Sequence, residues 1–171
     1  MIKLIGAILL IGGTAAWGIS GVLRLRARCR SLTSITHALG VMQSEICDRL
    51  TPMPELLSQL GEEAEYPVRL LYKNAENKLS TLGNTHFGTI WRQAVTATPE
   101  LLLTAPEEAA LVELGTSLGK YNVEEQKNAI SYTRRRLEEY VKRAEIVRET
   151  DSKVRAFLGV ASGIFAVVLF I

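Results

Sequence analysis

The residues able to do chemistry are few and scattered. The chain has 171 residues, with two cysteines, Cys29 and Cys47, and two histidines, His37 and His86. No CxxC occurs, and neither histidine has a second ligand at metal-binding spacing. Gly12-Gly13-Thr14 lies inside an uncharged apolar run, so it cannot cradle a phosphate. No nucleophile elbow, Walker loop or dinucleotide fingerprint is present. Acidic pairs stand at Glu62-Glu63, Glu107-Glu108 and Glu124-Glu125. The last two pairs complement the dipole of the helix each one opens, and no convergent group accompanies them as a catalytic partner. The sequence therefore predicts a non-enzymatic protein without cofactor or metal.

What remains is chemistry of contact, carried by helix junctions. Thr51-Pro52-Met53-Pro54 must stop one helix and start another, with Thr51 as the expected cap. Gly115 and Gly119 flank the end of a later helix, and Asn122 with Glu125 opens the next. Thr51, Pro52, Pro54, Gly115, Gly119, Asn122 and Gln126 are the candidate partner contacts, against the plainer reading that they only cap helices.

These junctions join elements that apolar spacing defines. Leu32, Ile35, Leu39, Met42, Ile46 and Leu50 recur at three and four residues, one stripe of an amphipathic helix. A short helix follows over 53–63 with Leu56, Leu57 and Leu60 inward. A third, over 67–82, buries Val68, Leu71, Ala75, Leu79 and Leu82. A fourth, over 87–97, buries Ile90, Trp91, Ala94 and Val95, and the Trp91 indole N–H needs an acceptor. Thr98 to Leu103 is irregular. Thr104 and Glu107 form a capping box before a fifth helix that buries Leu111, Leu114 and Leu118. From Val123 onward no proline occurs, and Ile130, Leu137, Val141, Ala144 and Val147 line one face of a long last helix. No period-2 run signals a strand.

The two ends of the chain are different in kind. Leu4 to Leu23 is an uncharged run of twenty residues, and Arg24, Arg26, Arg28 and Arg30 follow it. At about 1.5 Å per residue it spans roughly 30 Å, the thickness of a bilayer core. A secretory signal would be shorter, with its charges first. The arginines put the following chain in the cytoplasm and the N-terminus outside. Ala156 to Ile171 is a second uncharged run, of sixteen residues, preceded by Lys153 and Arg155. Gly159 and Gly163 have GxxxG spacing, which favours close helix contact in lipid.

Between the ends the charge reverses. Residues 31–152 hold thirteen Lys/Arg against eighteen Asp/Glu, although the whole chain is +2. An acidic domain with basic flanks suits a membrane surface and argues against nucleic acid. The predicted fold is all-α, with transmembrane helices at 1–23 and 156–171 flanking a six-helix cytoplasmic bundle over 24–155.

Three stretches taken together carry a resemblance. They are Met1-Ile2-Lys3-Leu4-Ile5-Gly6-Ala7-Ile8-Leu9-Leu10, then Ser44-Glu45-Ile46-Cys47 with Thr51-Pro52-Met53-Pro54-Glu55-Leu56-Leu57, then Leu114-Gly115-Thr116-Ser117-Leu118-Gly119 with Asn122 and Gln126. With Phe157-Leu158-Gly159-Val160, this order resembles the stage III sporulation protein AB family over essentially the whole chain. Asn122 stands where the family pattern has Asp, and both cap helices well.

The resemblance implies a multi-pass membrane component of the secretion-like complex, or feeding channel, between mother cell and forespore. It implies a place on the mother-cell side, in the outer forespore membrane, and a domain similar to the helical domain of type II secretion system protein F. The implied partners are a secretion-type ATPase, other membrane proteins of the complex and further copies of the chain. A membrane-anchored sensor binding a small ligand or partner in its helical domain is the alternative. It would need polar groups converging on a pocket, and the inward stripes contain none.

Overall fold

The computed structural model describes the backbone of residues 2–81, 86–118 and 122–170, and the side chains of residues 21–79, 86–118 and 122–150. Among the described residues there are six α-helices and no strand. They are α1 (Ile2–Cys47), α2 (Met53–Glu63), α3 (Val68–Thr81), α4 (Phe87–Thr96), α5 (Ala105–Gly115) and α6 (Val123–Phe170). A single 3-10 turn, Pro99–Leu101, fills part of the irregular stretch before α5.

Each bound has a local cause. Pro52 precedes α2 in extended backbone and Pro54 occupies its first turn, where a missing N–H costs nothing. Thr104 and Glu107 form the expected capping box at α5. The 3-10 turn closes on Leu102, whose φ is 57° and whose N–H donates to the Pro99 carbonyl at 3.0 Å.

The packing falls into two units, residues 28–142 and residues 1–27 with 143–171. In the first, α2 packs on α3, α3 on α4 and α4 on α5. The short links between them make these neighbours antiparallel. The core is what the stripes predict: Leu32, Ile35, Leu39 and Met42 from α1, Leu56 and Leu57 from α2, Leu71 from α3, Trp91 from α4, Leu111 from α5, and Ile130 and Leu137 from α6 are all buried. Burying such side chains is worth about 1.5–3 kcal/mol each, offset by the entropy of ordering the chain.

Of the stripe positions, Leu79 and Val141 are half-buried, Leu82 lies outside the described residues, and Leu50 and Val147 depart furthest from expectation. Leu50 is 68% exposed, because α1 ends at Cys47 and the chain turns through a positive φ of 55° at Leu50. Val147 is 46% exposed and belongs to the second unit. The sequence divides the chain at 24 and 155, and packing divides it at 28 and 142. The two differ most on α6, where charge patterning tracks hydration rather than packing.

In the second unit, α1 and α6 are each helical through the terminal apolar runs. Among the described residues no helix is long and apolar enough to cross a membrane. The side chains of the expected spans lie almost wholly outside the described residues, as do those of Lys153 and Arg155.

Candidate partner interface

The α1–α2 junction is built around a buried carboxylate. Glu45 is only 6% exposed, one turn before the helix end. Its Oε1 accepts from Arg49 Nη1 at 2.7 Å and its Oε2 accepts from Thr51 Oγ1 at 2.7 Å. The Thr51 N–H also donates to the Glu45 carbonyl at 3.0 Å, and the N–H groups of Asp48 and Arg49 donate to the Ser44 carbonyl. These bonds satisfy the carbonyls that a helix end leaves open.

Thr51 therefore does not cap α2 as expected. Its hydroxyl faces back to Glu45, and Pro52 is the N-cap, with no side-chain cap bond. A charged acceptor makes a stronger bond than a neutral backbone site offers, which decides where the hydroxyl goes. Thr51 is half-buried, whereas Pro52 and Pro54 are exposed.

At the α5–α6 junction the predicted residues do different things. Gly115 is buried where α5 crosses α4. A Cβ there would lie 2.5 Å from Trp91 Cδ1, and a Cβ on Gly88 would lie 2.9 Å from the Gly115 carbonyl oxygen. The two glycines let the helix axes close up, and Trp91 fills the space, its Nε1–H donating to the Leu111 carbonyl at 2.7 Å. Gly115 thus has its contact inside the bundle. Gly119 lies outside the described residues. Asn122 is exposed and caps α6, its Oδ1 accepting from the N–H groups of Glu124 at 3.0 Å and Glu125 at 3.3 Å. Gln126 is 7% exposed, and its N–H donates to the Asn122 carbonyl.

The start of α6 sits beside the end of α1. Burial pushes the Cys47 thiol up, with Lys127 opposing, and Asp48 and Glu124 adding to the rise.

Midway along α1, the basic flank is not uniform. Arg24, Arg26 and Arg30 are exposed. Arg28 instead pairs with Glu107, which is fully buried. Arg28 Nη2 donates to Oε1, and Nε donates to Oε2 at 3.2 Å. The Thr104 N–H completes the site, donating to Oε2 at 2.7 Å. Burial alone raises the Glu107 carboxyl, but the bonds from Arg28 and Thr104 outweigh it and hold the group below its ordinary value.

A groove of about 480 Å³ runs along α1 and the end of α2, lined by residues that include Arg30, Thr33, His37, Val41, Leu60 and Glu65. Among the described residues no group of three His, Cys, Asp or Glu could hold a metal ion. Sequence reasoning missed the buried Glu45 and the positive φ of Leu50 as the features that shape the α1–α2 junction. Neither carries a local signal, since a buried carboxylate reads as a surface charge and a leucine does not announce a positive φ.

The family model described as stage III sporulation protein AB matches residues 3–171. The stage III sporulation protein AB of Bacillus subtilis (strain 168) is 25% identical over 170 residues, which is 99% of each chain. A solved structure of a stage III sporulation protein AB superposes with a TM-score of 0.67 at 23% identity, covering 72% of this chain and 98% of the solved one. That superposition shows the fold. The family model spans nearly every residue, and the chain belongs to the stage III sporulation protein AB family.

Proposed function

We propose that the chain is a non-enzymatic membrane component of the mother cell–forespore secretion-like complex, and that its helical domain is a platform for the ATPase of that complex. The observation that carries this reading is the family match over residues 3–171, which includes both apolar ends as well as the domain. The uncharged runs at 4–23 and 156–171, each bordered by basic residues, support two membrane spans with the domain in the cytoplasm. The exposed junction residues Pro52, Pro54 and Asn122 are its candidate contacts.

Co-purification from sporulating cells tests the reading. The full chain, solubilised from membranes, is expected to bring down the ATPase and other channel proteins. Recovery of none of them would count against it. Topology is tested by placing a single cysteine at Pro52 in a chain whose Cys29 and Cys47 are replaced by serine. An impermeant reagent should label it in opened cells and not in intact ones.

The competing reading, a sensor of a small ligand, draws on the groove beside Arg30 and His37. It predicts that filling the groove by Ala38→Leu abolishes sporulation while the complex still assembles. The platform reading predicts that this variant, once folded, sporulates.

A further inference from the structure

We infer that Leu50 is the anchor of a docking surface for a partner protein that offers an apolar socket rimmed by lysine or arginine. The inference rests on the reading of the chain as a component of a complex, and it names the chemistry of the contact. Leu50 is 68% exposed, so the core does not use its side chain. Its φ is 55°, a region that costs an L-residue on the order of 1 kcal/mol and costs glycine nothing. Leu102 has a similar φ of 57°, but it is only half-exposed and closes the 3-10 turn. Leu50 has no such packing role. The turn that holds it outward is fixed on both sides, by Arg49 and Thr51 bonding to the buried Glu45. A strained residue that its surroundings over-determine is a reason to look for function.

Charge selects the occupant. Among the described residues of this junction, Asp48 and Glu55 flank Leu50 in the chain and are exposed. Arg49 is matched by Glu45. The rim around Leu50 is therefore acidic. A second copy meeting it face to face would set like charges together, and an anionic lipid surface would be repelled. About 26 Å of helix separates Arg30, a basic residue suited to lipid, from Cys47. A basic-rimmed protein socket satisfies both the leucine and the rim.

The experiment uses the full chain in membranes of sporulating cells, with a photo-crosslinking phenylalanine at position 50 and, as control, at the exposed Tyr66. Crosslinks from position 50 should map to an apolar site on a channel-complex protein flanked by Lys or Arg, and crosslinks from position 66 should not. Leu50→Gly relieves the backbone and removes the anchor. It should melt at or above the parent temperature while partner recovery falls roughly tenfold or more, the scale of a hot-spot residue. Leu50→Met should recover partners as the parent does, and Glu55→Lys should lower recovery and flatten its salt dependence. Leu50→Gly recovering partners at the parent level would overturn the inference alone. A crosslink to a second copy or to lipid would overturn it too. If the parent chain recovers no channel protein, the functional reading falls and the inference with it.

Discussion

Two buried glutamates meet α1, Glu107 from α5 beside Arg28 and Glu45 on the last turn of α1 itself, and the two are satisfied in different ways. Glu107 is reached by Arg28 from 79 residues away, and the arginine side chain is itself only 23% exposed. Glu45 is reached by Arg49 and Thr51, four and six residues away, and that arginine is 69% exposed. The first arrangement ties α1 to α5 and so belongs to the tertiary fold. The second shapes one turn and leaves the rest of the bundle unaware of it. Hydrogen bonds thus tie two helices together in one place and fix a single turn in the other.

That contrast can be broken by removing partners in turn. Arg28→Ala should have the largest effect, about 3–5 kcal/mol of destabilisation in denaturant unfolding, because it strands a buried carboxylate. Glu107→Gln should cost less, roughly 1.5–3 kcal/mol, since the amide oxygen can still accept from Thr104 while the charge is lost. The same residue sets an acid response. Its folded pKa is lowered, so the unfolded chain binds the proton more readily. The stabilisation is complete above the unfolded carboxylate value, about 4.3, and is lost as pH falls through the lower folded value. Unfolding measured between pH 3 and pH 6 should show this slope in the parent and a shallower one in Glu107→Gln.

At the Glu45 turn the effects should be small. Glu45→Ala should cost about 1 kcal/mol, because Thr51 is half-buried and finds water. Arg49→Ala should cost about 1 kcal/mol, because Glu45 is buried but keeps its bond from Thr51 while the lost arginine is 69% exposed. A large loss from either would mean that this turn carries part of the fold and would erase the contrast.

The contrast also explains what could be read from the sequence. Apolar spacing placed the bounds of α2 to α4 and the start of α6 within about two residues, because each helix buries one face and its caps are local, but it ran α5 on to Leu118, three residues past its end at Gly115. Trp91 was legible as a core anchor in need of an acceptor, though not that Leu111 supplies it. Glu107 was legible as half of a capping box, because Thr104 stands three residues before it. Its second bond was not, since a pairing across 79 residues leaves no pattern along the chain. For the same reason Arg28 read as one of four equivalent flank charges. Thr51 was misjudged because its hydroxyl can accept from an α2 N–H or donate back to Glu45, and spacing shows only the forward bond. Gly115 showed its small size but not its neighbour, which packing alone reveals.

The central claim is that one end of the domain holds it together and the other meets a partner. Melting temperature and partner recovery, measured together on full-length Arg28→Ala and Glu45→Ala from sporulating cells, test it most directly. Arg28→Ala should lose roughly 10–20 °C, the shift that about 3 kcal/mol produces in a domain of this size. Glu45→Ala should melt within a few degrees of the parent and yet recover several-fold less of the channel proteins. If recovery follows melting temperature in both variants, the turn at Leu50 has no separate function and the account is contradicted.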